Sequence, residues 1–79
     1  MEELIGFVTG NNNRKKLLSV LGSKKEMDAD RIAKTMHVFR PSVDKIIEEM
    51  MEKELLERQG DNYRLTELGI TVERTIQNI

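Results

Sequence analysis

The sequence predicts a small, mainly α-helical domain that carries one β-hairpin, and three observations lead there. Val43, Ile46, Ile47 and Met50 recur at i, i+3, i+4 and i+7, which puts four apolar side chains on one stripe of a helix. Ile32, Ala33 and Met36 form a shorter stripe just before it, so two helices follow one another across a turn of about three residues. Leu55 to Gln59 and Asn62 to Leu65 then read as two short strands around Gly60-Asp61, a pair suited to a tight hairpin turn. The expected architecture is a three-helix core with a ribbon, flanked by helices at both ends.

Composition narrows the function classes. Seventy-nine residues are read as one domain, 1–79, and at this size only about 60% of the unfolded chain's surface becomes buried, so a second copy would help the thin core. There is no cysteine, which removes disulfides and thiolate metal sites, and His37 has no histidine partner. The five glycines stand singly and form no phosphate-cradling loop. Neither an enzyme, nor a metal, nor any other cofactor is expected. No apolar run approaches the roughly 20 residues of a membrane span, and Glu2 and Glu3 stand where a secretory signal would be basic. A cytoplasmic protein without a membrane partner is expected. The net charge of −1 hides an asymmetry: residues 1–40 hold eight basic and five acidic side chains, residues 41–79 five and nine. That balance argues against strong non-specific binding to nucleic acid but permits a basic patch on the first half.

Taken in order, Glu2 to Thr9 carries Leu4, Ile5 and Val8 on one side with Phe7 beside them, and Gly10 ends these two turns. Glu2 and Glu3 suit the positive end of the helix dipole. Asn11, Asn12 and Asn13 break the chain, and any of them can cap the next helix, with Asn13 favoured. Leu17, Leu18 and Leu21 mark that helix's stripe, ended by Gly22. Arg14, Lys15 and Lys16 lie in its first turn, where cations oppose the dipole; a solvated cluster and a phosphate contact both fit them. Ser23 to Glu26 reads as a loop, and Asp28 caps the helix carrying Ile32, Ala33 and Met36. His37 opens the turn, where histidine tolerates positive φ, and Val38 plugs the turn into the core. Phe39, at the head of the next helix, is either exposed to a partner or packed under the turn.

Pro41 is tolerated in the first helical turn, where its missing N–H would have had no partner. Pro41, Ser42, Lys45, Glu48, Glu49 and Glu52 form the outward face of that helix. The hairpin carries Arg58 and Arg64 near its tip and must lie on the helices to be stable. Thr66 caps the last helix, whose Leu68, Val72, Ile76 and Ile79 recur at four, four and three residues, close to a coiled-coil seam. The stripe could cover the core of a monomer; in the homodimer favoured here it pairs with its copy, together with Leu4, Ile5 and Val8.

Ile32-Ala33 to Val38, Arg40-Pro41-Ser42-Val43, Glu52-Lys53-Glu54-Leu55-Leu56 and Tyr63 to Gly69 resemble the winged helix-turn-helix transcriptional regulators of bacteria and archaea. The chain is most similar to small archaeal regulators with an ArsR- or MarR-like domain, and the resemblance covers nearly all of it. It implies a short strand at Met27 and a wing at residues 55–65 that meets the DNA backbone or minor groove. Four positions depart from the family pattern: His37 for Gly or Asn, Phe39 for a small polar cap, Glu48-Glu49 for basic residues, and Ile46 for a polar one.

The expected function is therefore a regulator of transcription that binds double-stranded DNA as a homodimer. The helix from Arg40 would enter the major groove by its front end, with Arg40, Ser42 and Lys45 at base edges or phosphates and Phe39 adding apolar contact. Arg14, Lys15, Lys24, Lys25 and Lys34 would meet the backbone, as would Arg58 and Arg64 of the wing. The acidic rear of the helix and the low pI, near 5.8, fit an alternative, a protein-interaction module on the same scaffold. Nothing in the sequence forms a recognisable pocket for an effector.

Overall fold

Apolar side chains from five helices and three strands meet in one cluster in the computed structural model, which describes residues 1–78; Ile79 lies outside the described residues. The elements are α1 (Glu2–Thr9), α2 (Asn12–Lys24), β1 (Glu26–Asp28), α3 (Ala29–Met36), α4 (Arg40–Glu52), β2 (Leu56–Gln59), β3 (Asn62–Leu65) and α5 (Glu67–Gln77). Val43, Ile46, Ile47 and Met50 are all buried, so the departure at Ile46 widens the core stripe of α4. Leu17, Leu18 and Leu21 of α2 and Ile32 and Met36 of α3 complete the centre, and no polar or charged residue is buried among the described residues.

Local chemistry sets most boundaries. Asp28 caps α3 by accepting from the Arg31 N–H at 2.9 Å, and Thr66 caps α5 by accepting from Gly69 at 3.0 Å. Two expected boundaries of α2 are corrected. Its cap is Asn11, not Asn13: extended backbone at Asn11 aims the side-chain oxygen at the N–H groups of Asn13 (2.9 Å) and Arg14 (3.1 Å). Nor does Gly22 end the helix, which runs on to Lys24 and stops at Lys25, φ +69°. Gly22 serves packing instead, since a Cβ there would lie 3.0 Å from the Glu73 side chain of α5.

The sheet has the order β1-β3-β2, antiparallel throughout. Met27 sits in β1 opposite Tyr63, so the ribbon gains a third strand that anchors it to the helices. Gln59 opposes Asn62 across a two-residue turn whose first member, Gly60, has φ +63°, the region that type II′ hairpins reserve for glycine. At the other end of the ribbon Gly69 is pressed onto the chain: a Cβ there would lie 2.2 Å from the Leu55 carbonyl oxygen.

The expected apolar seam is also corrected. Val8 and Val72 are 0% exposed within one chain and belong to its own core, while Leu4, Ile5 and Ile76 are half-buried against it. Leu68 and Ile70 remain exposed, at 37% and 40%. Residues four apart on a helix are displaced by about 40° around the axis. The stripe therefore winds past the core: Leu68 stays outside, Val72 faces inward and Ile76 is half covered.

Gly69 and Gly22 give opposite expectations. Gly69→Ala must push backbone against backbone and should cost more than about 2 kcal/mol, lowering Tm by roughly 10 °C. Gly22→Ala needs only the flexible end of Glu73 to move and gains helix propensity, so its effect should stay within about 1 kcal/mol. Thermal unfolding followed by circular dichroism measures both.

Candidate nucleic-acid interface

The surface where the sequence places a nucleic-acid site is built from the turn after α3, the front of α4 and the ribbon. His37 adopts the left-handed conformation, φ +58° and ψ +42°, and its N–H bonds the Lys34 carbonyl while Val38 bonds that of Ala33. This paired closure is a Schellman turn made without glycine. The same device ends α4: Glu54, φ +60°, bonds the Met51 carbonyl at 2.9 Å and Leu55 that of Met50 at 3.0 Å. Val38 is half-buried against the core, and the chain then turns outward at Phe39.

Phe39 is 77% exposed and does not pack under the turn. Its side chain caps nothing; its carbonyl instead accepts from the N–H groups of Ser42 and Val43. Pro41, Ser42, Lys45, Glu48 and Glu52 are exposed as expected. Glu49 is not part of that outward face: it is half-buried and accepts from Arg14 Nε at 3.2 Å. Arg14, expected at the DNA backbone, is only 20% exposed in its side chain, which also donates to the Phe7 carbonyl at 2.9 Å.

Each of the other three candidate arginines also has a carboxylate nearby. Arg40 Nε donates to Asp44 Oδ1 at 2.8 Å and its Nη1 to Asp30 Oδ1. The Asp44 bond, joined by that to Asp30, raises the guanidinium pKa above its ordinary value. Arg64 Nε donates to Glu57 at 2.8 Å. Arg58 bonds the Gly60 carbonyl at 2.8 Å, stands 3.9 Å from Asp61 and lies 6.0 Å from the centre of the Tyr63 ring. Exposed pairs such as these contribute only about 0–1 kcal/mol each, so they set orientation and local charge more than stability.

The wing arginines do not act as a pair. Arg58 opposes Tyr63 and Glu57 opposes Arg64, and successive cross-strand pairs point to opposite faces of a sheet. Arg58 and Tyr63 face α4 across a shallow hollow lined also by Arg40, Asp44, Glu48 and Met51, whereas Arg64 lies on the other face. Lys24 and Lys25 precede β1, whose Glu26 opposes Arg64, so they stand at the root of the wing and away from its Gly60-Asp61 tip. Lys34 borders a hollow with Asp28, Asp30, Arg31 and Thr35, and Lys15 lies beside Asn12, Lys16 and Ser19. The exposed lysines form no ion pair among the described residues.

Asp30, Asp44, Glu57 and Asp61 are therefore parts of the surface that the sequence reading missed. Arg40 and Asp44 stand four apart on a helix, and the hairpin register puts Glu57 opposite Arg64, so both were legible. Arg14 and Glu49 are 35 residues apart, and no local pattern joins them. A notch of about 160 Å³ between α2 and α5 is smaller than the roughly 300 Å³ at which ordinary ligand pockets begin.

The sequence model described as "Methanogenesis regulatory protein FilR1, N-terminal domain" matches residues 2–79. Among solved structures, ligand-free NadR superposes on 98% of the chain with a TM-score of 0.85 at 17% identity. NadR in complex with 4-hydroxyphenylacetate covers 96%, with a TM-score of 0.80 at 15% identity. MepR, a transcription regulator of the Staphylococcus aureus multidrug efflux pump MepA, covers 86% at 0.83 and 23%. Identities this low establish a shared fold and nothing finer. The chain spans only 56 to 60% of the length of these three structures. No curated protein matches it.

The turn residue can be tested directly. His37→Val, which forces a β-branched side chain into the left-handed region, should cost about 1–2 kcal/mol. His37→Gly should be neutral or stabilising by up to about 1 kcal/mol. Urea unfolding midpoints of the two variants, compared with the parent, check this.

Proposed function

The chain belongs to the family of FilR1 N-terminal domains and has the winged-helix fold of transcription regulators, and we propose that it regulates transcription by binding double-stranded DNA as a homodimer. The single observation that carries the DNA reading is the front end of α4, where Phe39 projects almost bare beside Arg40, Ser42 and Lys45. A helix entering the major groove by this end brings one apolar and several polar side chains to base edges. The homodimer rests on the exposed Leu68 with the half-buried Ile76 of α5 and the half-buried Leu4 and Ile5 of α1. Ile70, about 200° round the helix from Leu68, faces away from that stripe. Neither Val8 nor Val72 contributes, being used within the chain.

Electrostatics divide the labour. A guanidinium already facing a carboxylate neutralises little further charge, so phosphates are met by the unpaired lysines: Lys45 on α4, Lys34 on α3, Lys24 and Lys25 at the root of the wing, and Lys15 on α2. Arg58 and Arg40 border the hollow between α4 and the ribbon. Arg40 is oriented by Asp44 and Asp30 and Arg58 by the Gly60 carbonyl, and both are suited to neutral base edges more than to phosphates. Glu48, one turn behind Lys45, opposes the phosphates at the groove's rim and holds affinity down. The same carboxylates favour a second reading, a protein-interaction module whose exposed Phe39 anchors the partner.

Fluorescence anisotropy against a protein-selected genomic duplex and a scrambled duplex separates the two. Lys45→Ala should flatten the slope of log affinity against log salt by about 0.9, while Arg64→Ala, losing an already paired cation, should flatten it by less than half of that. Glu48→Lys should raise affinity for both duplexes about tenfold, or roughly 1.4 kcal/mol. Absence of binding to any duplex at low salt removes the DNA reading in favour of the interaction module.

A further inference from the structure

Phe7, Arg14 and Glu49 come from three helices and meet, with Lys53 just past the end of α4, at one point on the flank of α4 away from the wing. Arg14 of α2 donates Nη1–H to the Phe7 carbonyl of α1 at 2.9 Å and Nε–H to Glu49 of α4 at 3.2 Å. Its guanidinium carbon lies 4.0 Å from the centre of the Phe7 ring, and Lys53 Nζ, just past the end of α4, lies 5.4 Å from the same ring. With its side chain only 20% exposed, Arg14 is committed to α1 and α4 at once.

We propose that Arg14 is a positioning residue that ties the seat of α1 to the pose of α4, so that any displacement of α1 alters how the front of α4 is presented. α4 is held to the core by one stripe, and such a helix can still roll or slide by 1–2 Å, about the scale of helix shifts in switching proteins. Its roll is fixed by contacts on its two flanks. On one side stands the wing, with Tyr63 and Arg58; on the other stands Glu49, held by Arg14. α1 is among the least anchored helices: Val8 is its sole fully buried side chain, as Val72 is for α5, and Leu4, Ile5 and Phe7 are only partly covered. Arginine is needed because its planar fork serves a carbonyl and a carboxylate together while its face stacks on a ring; lysine, a point donor, cannot do all three.

The inference rests on the DNA reading for its functional consequence and predicts the opposite sign from a phosphate-contacting Arg14. As a phosphate contact, Arg14→Lys would bind like the parent, Arg14→Gln would flatten the salt slope by about 0.9, and Glu49→Ala would free the cation and raise affinity. As a positioning residue, all three variants weaken binding to the selected duplex by about fivefold, change the scrambled duplex little and leave the slope unchanged. Any variant of the first pattern overturns the proposal. Amide hydrogen exchange without DNA keeps it testable if no duplex binds. Glu49→Ala and Arg14→Lys should then accelerate exchange in α1 and in residues 46–52 while the hairpin stays protected, and unchanged exchange in α1 defeats the link. Circular dichroism confirms that each variant is folded.

Discussion

The fold depends on one backbone junction, at Glu54-Leu55, where the end of α4, both ends of the wing and the start of α5 are fastened together. Leu55 closes the Schellman turn with its N–H, and its carbonyl accepts from Thr66 at 3.1 Å. The Thr66 hydroxyl donates to the Glu54 carbonyl at 2.6 Å while the same oxygen caps α5 through Gly69. Gly69 completes the contact by having no side chain where the Leu55 carbonyl stands. Strands of four residues could not hold a hairpin in water. Rooted here, and paired on the other side with β1, the ribbon has a fixed direction relative to α4. Left-handed residues at Glu54 and His37 bend the chain at both ends of that helix at a cost of about 1–2 kcal/mol each, which the buried stripe between them offsets.

On this frame the charges are arranged with restraint. Every arginine first assigned to DNA faces a carboxylate within the same chain, and the lysines are left to the solvent. An arrangement of this kind lowers the generic attraction for polyanions, because a cation with a neighbouring anion releases fewer counterions on binding. It also orients the guanidinium planes before any partner arrives, which cuts the entropy lost on forming a directional contact. The net charge of −1 and the acidic second half are consequences of the same choice. Weak generic attraction combined with a bare aromatic at the front of α4 suits a surface that depends on shape and on a few directed contacts.

The Arg14 cluster adds a polar connection between α1 and α4, which otherwise meet only through the shared apolar core. α1 and α5 carry the apolar residues left over after the core is filled, and α4 carries the candidate reading surface. Arg14 of α2 joins α1 to α4 through a hydrogen bond, an ion pair and a stacked ring that share one side chain. A partner seated on α1 would thereby press on the same guanidinium that steadies α4.

The helical stripes, the caps at Asp28 and Thr66, the left-handed turn at His37 and the hairpin about Gly60 were all legible in the sequence. Each depends on residues within a few positions of one another, where periodicity and backbone preference are strong. The family resemblance rested on the spacing of those same pieces. Distance along the chain is what hid the rest. That Gly22 and Gly69 make room for Glu73 and the Leu55 carbonyl, that Val8 and Val72 serve one core instead of a seam, and that Arg14 belongs to Glu49 are facts of packing between remote segments. An apolar residue at helical spacing states that it will be covered but not by which chain, and an arginine states its charge but not its partner. Only when the elements are set against one another does burial choose the first and proximity the second.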